Sequence, residues 1–434
     1  MAAKIISTSK KEVTVQITIP LKESMLDCEE SILDCLNEGG TLATQEALEH
    51  FDADGEPIIV DNIKYTSKFQ SEKDYQTPYG VARVKRHVYQ TSQGGKTYCP
   101  LDISARIIQC ATPKFAKTLS QKYSNLAAPS VIEDLSENHN RKVTYSYLQN
   151  VCDYVGSIAQ VNEESWEYAP PNLGKQVATL GISLDGAYVL TVDDGYREGM
   201  VGTISLYDKK GDRLHTTYIA ASPEYGKETF FNRLEREIRQ AKEHYKKAKT
   251  VGIADGAKNN WSFLKKHADQ QILDFWHATE YLSKASYAVF TKKKEDYERK
   301  EWLDEQCHNL KHKRGAATRI LSELKSCREK KLLKVVRENL DDAITYFTNN
   351  IKEKRMSYYK FVKENLPIGS GVTEAACKTV IKQRLGGSGM RWKEKGMKVI
   401  LSLRTLVKTT GRWDEFWNKI NLLGASIPKE FTAC

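Results

Sequence analysis

The chain has 434 residues, with a hydrophobic fraction of 40% and a charged fraction of 28%, values typical of a soluble protein with a sizeable core and several domains. The formal net charge of +10 favours an acidic partner, of which nucleic acid is the commonest. Nine scattered cysteines with no C-x-x-C pair argue against a zinc ribbon or a disulfide framework, and they favour a reducing cytoplasm. The N-terminal MAAKIISTSKKEVTVQ lacks an apolar signal segment, and no apolar stretch is long enough to span a membrane, so we expect neither secretion nor membrane insertion.

Residues 1–110 are predicted to form an α+β region. EVTVQITIPL has the alternation of a strand, and IIVDNIKY and RVKRHVYQTSQGGKTYCPLD have the pattern of two hairpins, with Asp-Asn and Gly-Gly turns. The second hairpin carries a basic ribbon that we expect to lie along DNA phosphates: Arg83, Lys85, Arg86 and His87. A solvated sheet edge protected by charge is the alternative.

Residues 111–165 are predicted to form three helices with the outline of a helix-turn-helix. Thr112-Pro113 marks the start of the first helix, and Ser130-x-x-Glu133 has the form of a capping box at the start of the second. The polar turn ENHNRK separates the second helix from TYSYLQNVCDYVGSIA, which is predicted to be the third. Generic three-helix packing gives the same pattern. Two basic residues of the turn are predicted to contact DNA: Arg141 and Lys142.

A predicted linker at 166–175 is followed by a region whose sequence pattern predicts both strands and helices. Residues 172–288 read as three strands, a helix, a strand, a helix and a strand, which is the order of the ribonuclease-H-like fold. The expected fold class is therefore α/β, with a mixed sheet flanked by helices. Residues 289–365 are charged helix formers and predict an all-helical insertion, and residues 366–434 are expected to complete the core with a catalytic glutamate helix and C-terminal helices.

Three acidic residues are candidates for a catalytic set. Asp185 lies on the face of its strand that carries small side chains, which leaves room for a substrate, and Asp255 follows the strand TVGIA, at the end where α/β sheets bind ligands. Turn-forming Asp-Gly pairs are the alternative for both. Glu374 opens a predicted helix that ends at Gly386-Gly387, on the same face as an apolar stripe.

The segment around Glu374, PIGSGVTEAACKTVIKQRLGGSGMRW, is otherwise basic. A solvated basic helix is one interpretation, and a metal ligand set in a phosphate-binding surface is the other. Four residues are predicted to bind DNA there: Lys378, Lys382, Arg384 and Arg391. Three converging carboxylates would hold two Mg²⁺ ions for an in-line displacement at phosphorus.

The blocks SLDGAYV, GIADGAKNNW, DFWHATEYL and PIGSGVTEAACKTVIKQRLGGSGMRW together resemble those of DDE-type transposases of bacterial insertion sequences. The resemblance is to the ISKra-type family, with ISL-type relatives, and covers most of the chain. It implies an RNase-H-like enzyme that uses Asp185, Asp255 and Glu374 with Mg²⁺, or Mn²⁺ as a substitute, to cleave transposon ends and transfer a strand. His277 of the Asp274-x-x-His277 signature would assist catalysis, or would be a core histidine.

The same resemblance implies partners and a location. The partners would be double-stranded transposon-end and target DNA, bound by a homodimer or larger synaptic complex in the cytoplasm, at the nucleoid. Two other functions stay open: a nuclease of the same fold without strand transfer, and a DNA-binding derivative without catalysis. Trp302 and Trp392 are candidates for stacking on an unpaired base, with core packing as the alternative.

Overall fold

The protein is described here from a computed structural model, which covers residues 2–163 and 165–425. These residues form two compact units. The first consists of Met1–Glu167, Lys395–Val407 and Gly411–Cys434, as far as they are described, and the second of Tyr168–Glu394 and Lys408–Thr410. Two parts of the predicted regions lie outside the described residues. They are Glu164 of the expected helical region and residues 426–434, which include Cys434, of the expected C-terminal region.

The first unit begins with two antiparallel sheets and a long helix. Strands β1 and β2 pair with each other, and β3, β4, β5 and β6 form a four-stranded sheet in that order. The elements are β1 (Ala3–Thr8), β2 (Val13–Ile17), α1 (Met25–Glu49), β3 (Ile58–Val60), β4 (Ile63–Gln76), β5 (Val81–Thr91), β6 (Gly94–Tyr98) and α2 (Pro100–Ser104). The predicted strand and both hairpins are confirmed, whereas the 25-residue α1 was not predicted. Its internal Gly-Gly pair resembles a turn signal, yet Gly39 lies so close to Ile17 of β2 that a Cβ would stand 2.6 Å from it.

The two hairpin turns differ in how well the sequence located them. Asp61 and Asn62 have φ values of 49° and 65°, the left-handed pair that the Asp-Asn prediction requires. In the second hairpin Thr91 pairs with Gly94, so the chain reverses two residues before the predicted Gly-Gly turn. The glycines still adopt positive φ, but inside the start of β6.

Three helices follow as predicted: α3 (Pro113–Asn125), α4 (Ala128–His139) and α5 (Tyr145–Asn162). The predicted capping box is wrong, because α4 is capped at Ala127 with Pro129 in its first turn, which places Ser130 and Glu133 inside the helix. Helix α5 is buried along most of its length, and Tyr145, Ser146 and Asn150 near its start are exposed. A helix-turn-helix contact with DNA stays a prediction, limited to this end of α5.

The second unit contains a five-stranded mixed sheet. Its order is β11-β10-β7-β8-β9, with β7, β8 and β9 antiparallel and with β10 and β11 parallel to β7. The elements are β7 (Thr179–Leu190), β8 (Tyr196–Tyr207), β9 (Arg213–Ala221), α6 (Glu228–His244), β10 (Lys249–Ala254), α7 (Lys258–His267), β11 (Gln270–Leu273) and α8 (Phe275–Val289). The predicted α/β class with a mixed sheet flanked by helices is confirmed. The predicted linker at 166–175 contains neither helix nor strand.

The rest of the chain is helical, as predicted for 289–365. The elements are α9 (Asp296–His312), α10 (Ala316–Ser326), α11 (Lys334–Lys352), α12 (Tyr358–Lys363), α13 (Gly371–Ala376), a π-helical segment (Cys377–Lys382), α14 (Gln383–Leu385), α15 (Glu394–Lys408) and α16 (Arg412–Leu423). Apolar side chains of α10 and α11 share one buried core with those of the sheet, so the insertion is part of the second unit. Most of α15 and all of α16 belong to the first unit, which differs from the expected completion of the core by 366–434.

Membrane insertion finds no support in the described part of the chain. None of its helices combines the length and the apolar character that crossing a bilayer requires.

A buried leucine and an exposed leucine of the second unit provide a test of the described packing. Leu264 of α7 is fully buried against Gly252 of β10, whereas Leu333 is 79% exposed. We expect Leu264→Ala to lower the free energy of unfolding by about 2–5 kcal/mol, because it removes buried methyl groups and leaves a cavity. Leu333→Ala should change it by less than about 0.5 kcal/mol. Urea unfolding followed by circular dichroism measures both, and equal effects of the two variants would contradict the described packing.

Candidate active site

The register of two neighbouring strands places Asp185 and Asp255 side by side. In the parallel pair of β7 and β10, Ser183 is level with Ile253, and each aspartate lies two residues farther along its strand direction. Residues two apart on a strand point to the same face, and paired strands lie about 4.8 Å apart. Two carboxylates from segments 70 residues apart in sequence therefore meet at one edge of the sheet.

The Asp185 carboxylate is half-buried and held from two sides. Its Oδ1 accepts a hydrogen bond from the Gly186 amide at 2.7 Å, and the Cys377 thiol donates to its Oδ2 at 3.6 Å. Burial raises the pKa of Asp185, and the neighbouring negative charge of Asp255 raises it further. The pair of carboxylates thus favours a cation or a proton at this point.

The position of Asp255 depends on the helical insertion. The Tyr346 hydroxyl of α11 donates a hydrogen bond to the main-chain oxygen of Asp255 at 2.5 Å, and the Asp255 side chain accepts one from the Ala257 amide at 3.2 Å. Gly256 has a φ of 125°, and a Cβ there would stand 2.8 Å from the Tyr346 ring. The Asp-Gly pair therefore serves a close approach between the sheet and α11 as well as a turn.

A fully buried carboxylate, Asp274, joins α8 to the segment that carries Glu374. It caps α8, and its Oδ1 accepts hydrogen bonds from the His277 amide at 2.8 Å and from His277 Nδ1 at 3.3 Å. Its Oδ2 accepts from the Ser370 amide and from the Ser370 hydroxyl, the latter at 2.8 Å. Burial by itself would raise the pKa of Asp274, but the hydrogen bonds from His277 and Ser370 outweigh burial and lower it.

Two contacts fix Glu374 at the start of α13. The Ser370 hydroxyl lies 2.9 Å from Glu374 Oε1, and the buried hydroxyls of Thr373 and of Thr203 in β8 are 2.6 Å apart. The Glu374 carboxylate itself is exposed and reaches to 3.9 Å from His277 Nδ1. The helix is thus attached to the sheet by its buried face while its glutamate stays accessible.

His277 supplies a positive charge among these acids. The hydrogen bond with Asp274 raises its pKa to about 9, against the opposing effect of burial, and the charges of Asp274, Glu374 and Asp255 add to the rise. At neutral pH the imidazole is therefore protonated in the metal-free protein. This arrangement favours a functional histidine over a core histidine.

Asp274, His277 and Glu374 have ligand atoms within 4.8 Å of one another, a group that could hold a metal ion. Both Asp274 oxygens, however, accept two hydrogen bonds each, so this carboxylate is better suited to positioning than to ligation. Asp185 and Glu374 line one groove of about 520 Å³, together with Lys378 and Lys382. The structure thus groups Glu374 with both Asp185 and His277.

The small-residue face of β7 and β8 is not open to substrate, which corrects our expectation. The α13–α14 segment covers it: a Cβ on Gly199 of β8 would stand 3.2 Å from Ile381, and one on Gly181 of β7 would stand 3.6 Å from Pro367. The small side chains admit the chain's own helix. A substrate can reach Asp185 through the groove that Asp185 shares with Glu374.

The predicted DNA-binding cations of this segment separate into two kinds. Lys378 and Lys382 are exposed in the groove beside the acids, and Arg391 is exposed farther along the chain. Arg384 is buried, and its guanidinium lies 5.1 Å from the centre of the Trp392 ring. A buried packing contact therefore replaces the expected phosphate contact of Arg384. The π-helical turn from Cys377 to Lys382 sets this division, since it inserts an extra residue into the helical register.

The basic residues of the first unit are also mixed. Lys85 and Lys142 are exposed, whereas Arg83 forms an ion pair with Asp74 at 2.6 Å and Arg86 pairs with Asp102. The predicted phosphate contact of Arg141 needs correction. The Arg141 side chain is buried and donates hydrogen bonds to the Thr77 main-chain oxygen at 3.0 Å and to Gln76 Oε1 at 2.7 Å.

Sequence reasoning missed Ser370, Tyr346 and the exposed Trp276, which is 66% exposed beside His277. Ser370 lies in the GSG motif and Trp276 in the DFWH motif. Their position within these motifs was the signal that could have identified them. Two other tryptophans are used in packing. The Trp302 indole donates to Glu323 at 3.0 Å, and the Trp392 indole donates to the Leu385 main-chain oxygen at 3.0 Å.

Comparisons with known proteins add no family to this description. No protein-family model matches the chain. A search of curated proteins finds no match either. Function is therefore inferred from the geometry of the site and from the motifs in the sequence.

The contact between Asp274 and His277 predicts a change in titration. In metal-free protein we expect Asp274→Asn to lower the pKa of His277 from about 9 toward the ordinary value of about 6.5, because the imidazolium loses its charged hydrogen-bond partner. NMR titration of the His277 ring protons measures the midpoint. Asp304→Asn, which removes an exposed carboxylate on α9, is the control and should leave it unchanged. An unaltered midpoint in Asp274→Asn would show that this hydrogen bond does not set the charge.

Proposed function

We propose that the second unit is a ribonuclease-H-like domain that catalyses phosphoryl transfer on DNA. The order of its elements, β7-β8-β9-α6-β10-α7-β11, is the order expected for that fold. The sheet order and the strand directions support the same assignment, with three antiparallel strands followed by two strands parallel to the first.

One observation carries the functional proposal: acids from three separate segments converge at one edge of this sheet. The strand register brings Asp185 and Asp255 together, and Glu374 lines the same groove as Asp185. Burial, and after it the neighbouring charge of Asp255, raises the pKa of Asp185, and perturbed pKa values of this kind are concentrated at functional sites. Open α/β sheets bind ligands at such an edge.

The donor set fits hard divalent cations. Asp185, Asp255 and Glu374 offer carboxylate oxygens, which Mg²⁺ prefers, with Mn²⁺ as a substitute. Burial, and after it the charge of Asp255, disfavours the charged form of Asp185 and raises its pKa, and a bound cation would stabilise that charged form. Bound divalent ions would activate the attacking oxygen and stabilise the leaving oxygen in an in-line displacement at phosphorus.

The chain's own residues prepare the site in defined ways. Asp274 holds the His277 proton at Nδ1 and fixes Ser370 by accepting from its amide, which leaves the Ser370 hydroxyl proton able to bond the Glu374 carboxylate. The imidazolium offsets negative charge between the acids and is placed to contact a phosphate oxygen. Lys378 and Lys382 lie in the same groove and would bind the flanking phosphates.

Within this class we propose a DDE-type transposase of a bacterial insertion sequence. The support is the resemblance of the blocks around Asp185, Asp255, His277 and Glu374 to those of the ISKra-type family. The partners would be double-stranded transposon-end and target DNA, bound by a homodimer or larger assembly at the nucleoid in the cytoplasm. A strand-transfer assay with pre-cut DNA ends tests this level of the proposal: joining of the 3′-hydroxyl to target DNA supports it, and cleavage without joining identifies a nuclease.

Neutral replacement of the acids tests the catalytic set. We expect Asp185→Asn, Asp255→Asn and Glu374→Gln each to abolish Mg²⁺-dependent cleavage, because each removes a charged ligand, and to leave DNA binding in metal-free buffer nearly intact. A labelled-DNA cleavage assay and fluorescence anisotropy measure the two properties. Asp193→Asn, in the exposed turn after β7, is the control and should cleave normally. Normal cleavage by any variant of the three acids would remove that residue from the set.

The groove lysines are tested by salt dependence. Lys378→Ala and Lys382→Ala should each weaken binding of DNA and lower the slope of log affinity against log salt concentration by about 1, because each removes one phosphate contact. Fluorescence anisotropy at several salt concentrations measures the slope. Lys334→Ala, an exposed lysine of α11 outside the groove, should keep the wild-type slope. Unchanged slopes in both groove variants would exclude the groove as a phosphate-binding surface.

A further inference from the structure

The helical insertion contains a cavity that the proposed reaction does not use. It has a volume of about 510 Å³ and lies between the α9–α10 loop and the α11–α12 loop. This volume falls within the range of about 300–1,000 Å³ that is usual for small-molecule sites. None of the acids of the candidate active site lines the cavity.

The cavity combines an apolar floor with a cationic rim. Leu310, Met356 and Tyr358 are buried at its base, which gives a surface suited to a flat organic ring. Five cations line it against one acid, and they are Lys313, Arg314, Lys354, Lys360 and Lys363, with Glu364. Glu364 also pairs with Lys249 at 2.7 Å and with Lys360 at 3.8 Å, so the remaining charge is strongly positive. An anionic ligand complements this charge.

Part of the cavity lining has the features of a phosphate site. Lys313 and Arg314 are exposed there, and Gly315 caps the 11-residue α10 in a left-handed conformation with a φ of 73°. Ala316, Ala317 and Thr318, the first turn of α10, line the cavity, which places the positive end of the helix dipole at the same point. Two side-chain cations and a helix N-terminus thus converge.

The lining also includes an aromatic ring. Tyr359 lines the cavity and is half-exposed, and Lys363 Nζ lies 4.7 Å from the centre of its ring. Lys354, which also lines the cavity, has a φ of 57° because it ends α11 in a Schellman motif, in which the Lys354 amide donates to the Ile351 main-chain oxygen and the Arg355 amide to that of Asn350. An unsaturated ring of a ligand can stack on Tyr359 while its charged part reaches α10.

We propose that this cavity binds a nucleotide, with the phosphate at Lys313, Arg314 and the start of α10 and the base against Tyr359. The phosphate complements the cationic lining, and the flat ring complements the aromatic surface. A free mononucleotide and an unpaired nucleotide of a DNA strand share this chemistry. The site is independent of the proposed function, since it would bind either one without catalysis at Asp185.

The cavity nevertheless adjoins the elements that carry the active site. The buried Tyr358 hydroxyl donates to the main-chain oxygen of Leu273 at 3.0 Å, and its ring packs edge-to-face on Phe275 with ring centres 5.2 Å apart. These two residues flank Asp274. The floor of the nucleotide site therefore contacts both sides of the residue that anchors His277.

Binding of two fluorescent probes to the full chain in EDTA tests the proposal. The probes are N-methylanthraniloyl-dAMP and a fluorescein-labelled single strand of eight deoxyadenosines with a 5′-phosphate. We expect saturable binding of at least one probe, weakened about tenfold or more by Arg314→Ala and by Tyr359→Leu, which remove a charged phosphate contact and the stacking surface. Adenosine, which lacks phosphate, should compete far less well than dAMP.

Lys334→Ala, outside the cavity, should bind both probes as the wild type does. Loss of mononucleotide binding in the cavity variants identifies a free nucleotide as ligand, and loss of binding of the strand alone identifies an unpaired nucleotide of DNA. If neither probe binds, or if Arg314→Ala and the exposed-loop variant Lys313→Ala both bind like the wild type, the proposal is wrong. Thermal melting of each variant confirms that it is folded, and DNA cleavage is measured separately because its absence would bear only on the acid site.

Discussion

The buried carboxylate of Asp274 is the constraint on which the candidate active site depends. A fully buried aspartate is stable only when its oxygens are hydrogen-bonded, and Asp274 satisfies this with donors from two segments, His277 in α8 and Ser370 before α13. Asp274 and Ser370 are 96 residues apart in the sequence. The same carboxylate therefore fixes the histidine, the glutamate-bearing helix and the charge between them. Removing it would leave the buried Ser370 amide without its acceptor.

The helical insertion is the second element that holds the site together. Tyr346 of α11 stacks on Tyr281 of α8, with ring centres 3.9 Å apart, and its hydroxyl donates to the main-chain oxygen of Asp255. Tyr358 of α12 reaches the main chain of β11 from the other side. The insertion lies between the acid-bearing strands and the Glu374 helix in the sequence, and its side chains pack against the segments that carry Asp255 and Asp274. This is why the core of the sheet and the core of α10 and α11 are continuous.

Local sequence patterns predicted the elements well and the contacts between them poorly. Alternation identified β2 and β7, and apolar periodicity identified α3 and α6, because each pattern reports the burial of a single element. Helix α1 was missed because glycines serve close packing there as well as turns. The buried states of Arg141 and Arg384 were not predictable, since a basic residue in a polar stretch carries no local signal of its partner. Asp185, Asp255 and Glu374 were selected by motif, whereas the role of Ser370 emerged only from a contact across 96 residues.

The central claim is that Asp185, Asp255 and Glu374 form one metal-binding set, held by Asp274 and His277 without direct ligation by Asp274. Mn²⁺ scatters anomalously, so diffraction from crystals grown with Mn²⁺ locates the ion directly. The account predicts anomalous density bounded by carboxylate oxygens of Asp185, Asp255 and Glu374. Density bound by Asp274, His277 and Glu374 without the two strand aspartates would contradict it, as would crystals saturated with Mn²⁺ that show no ion at this edge of the sheet.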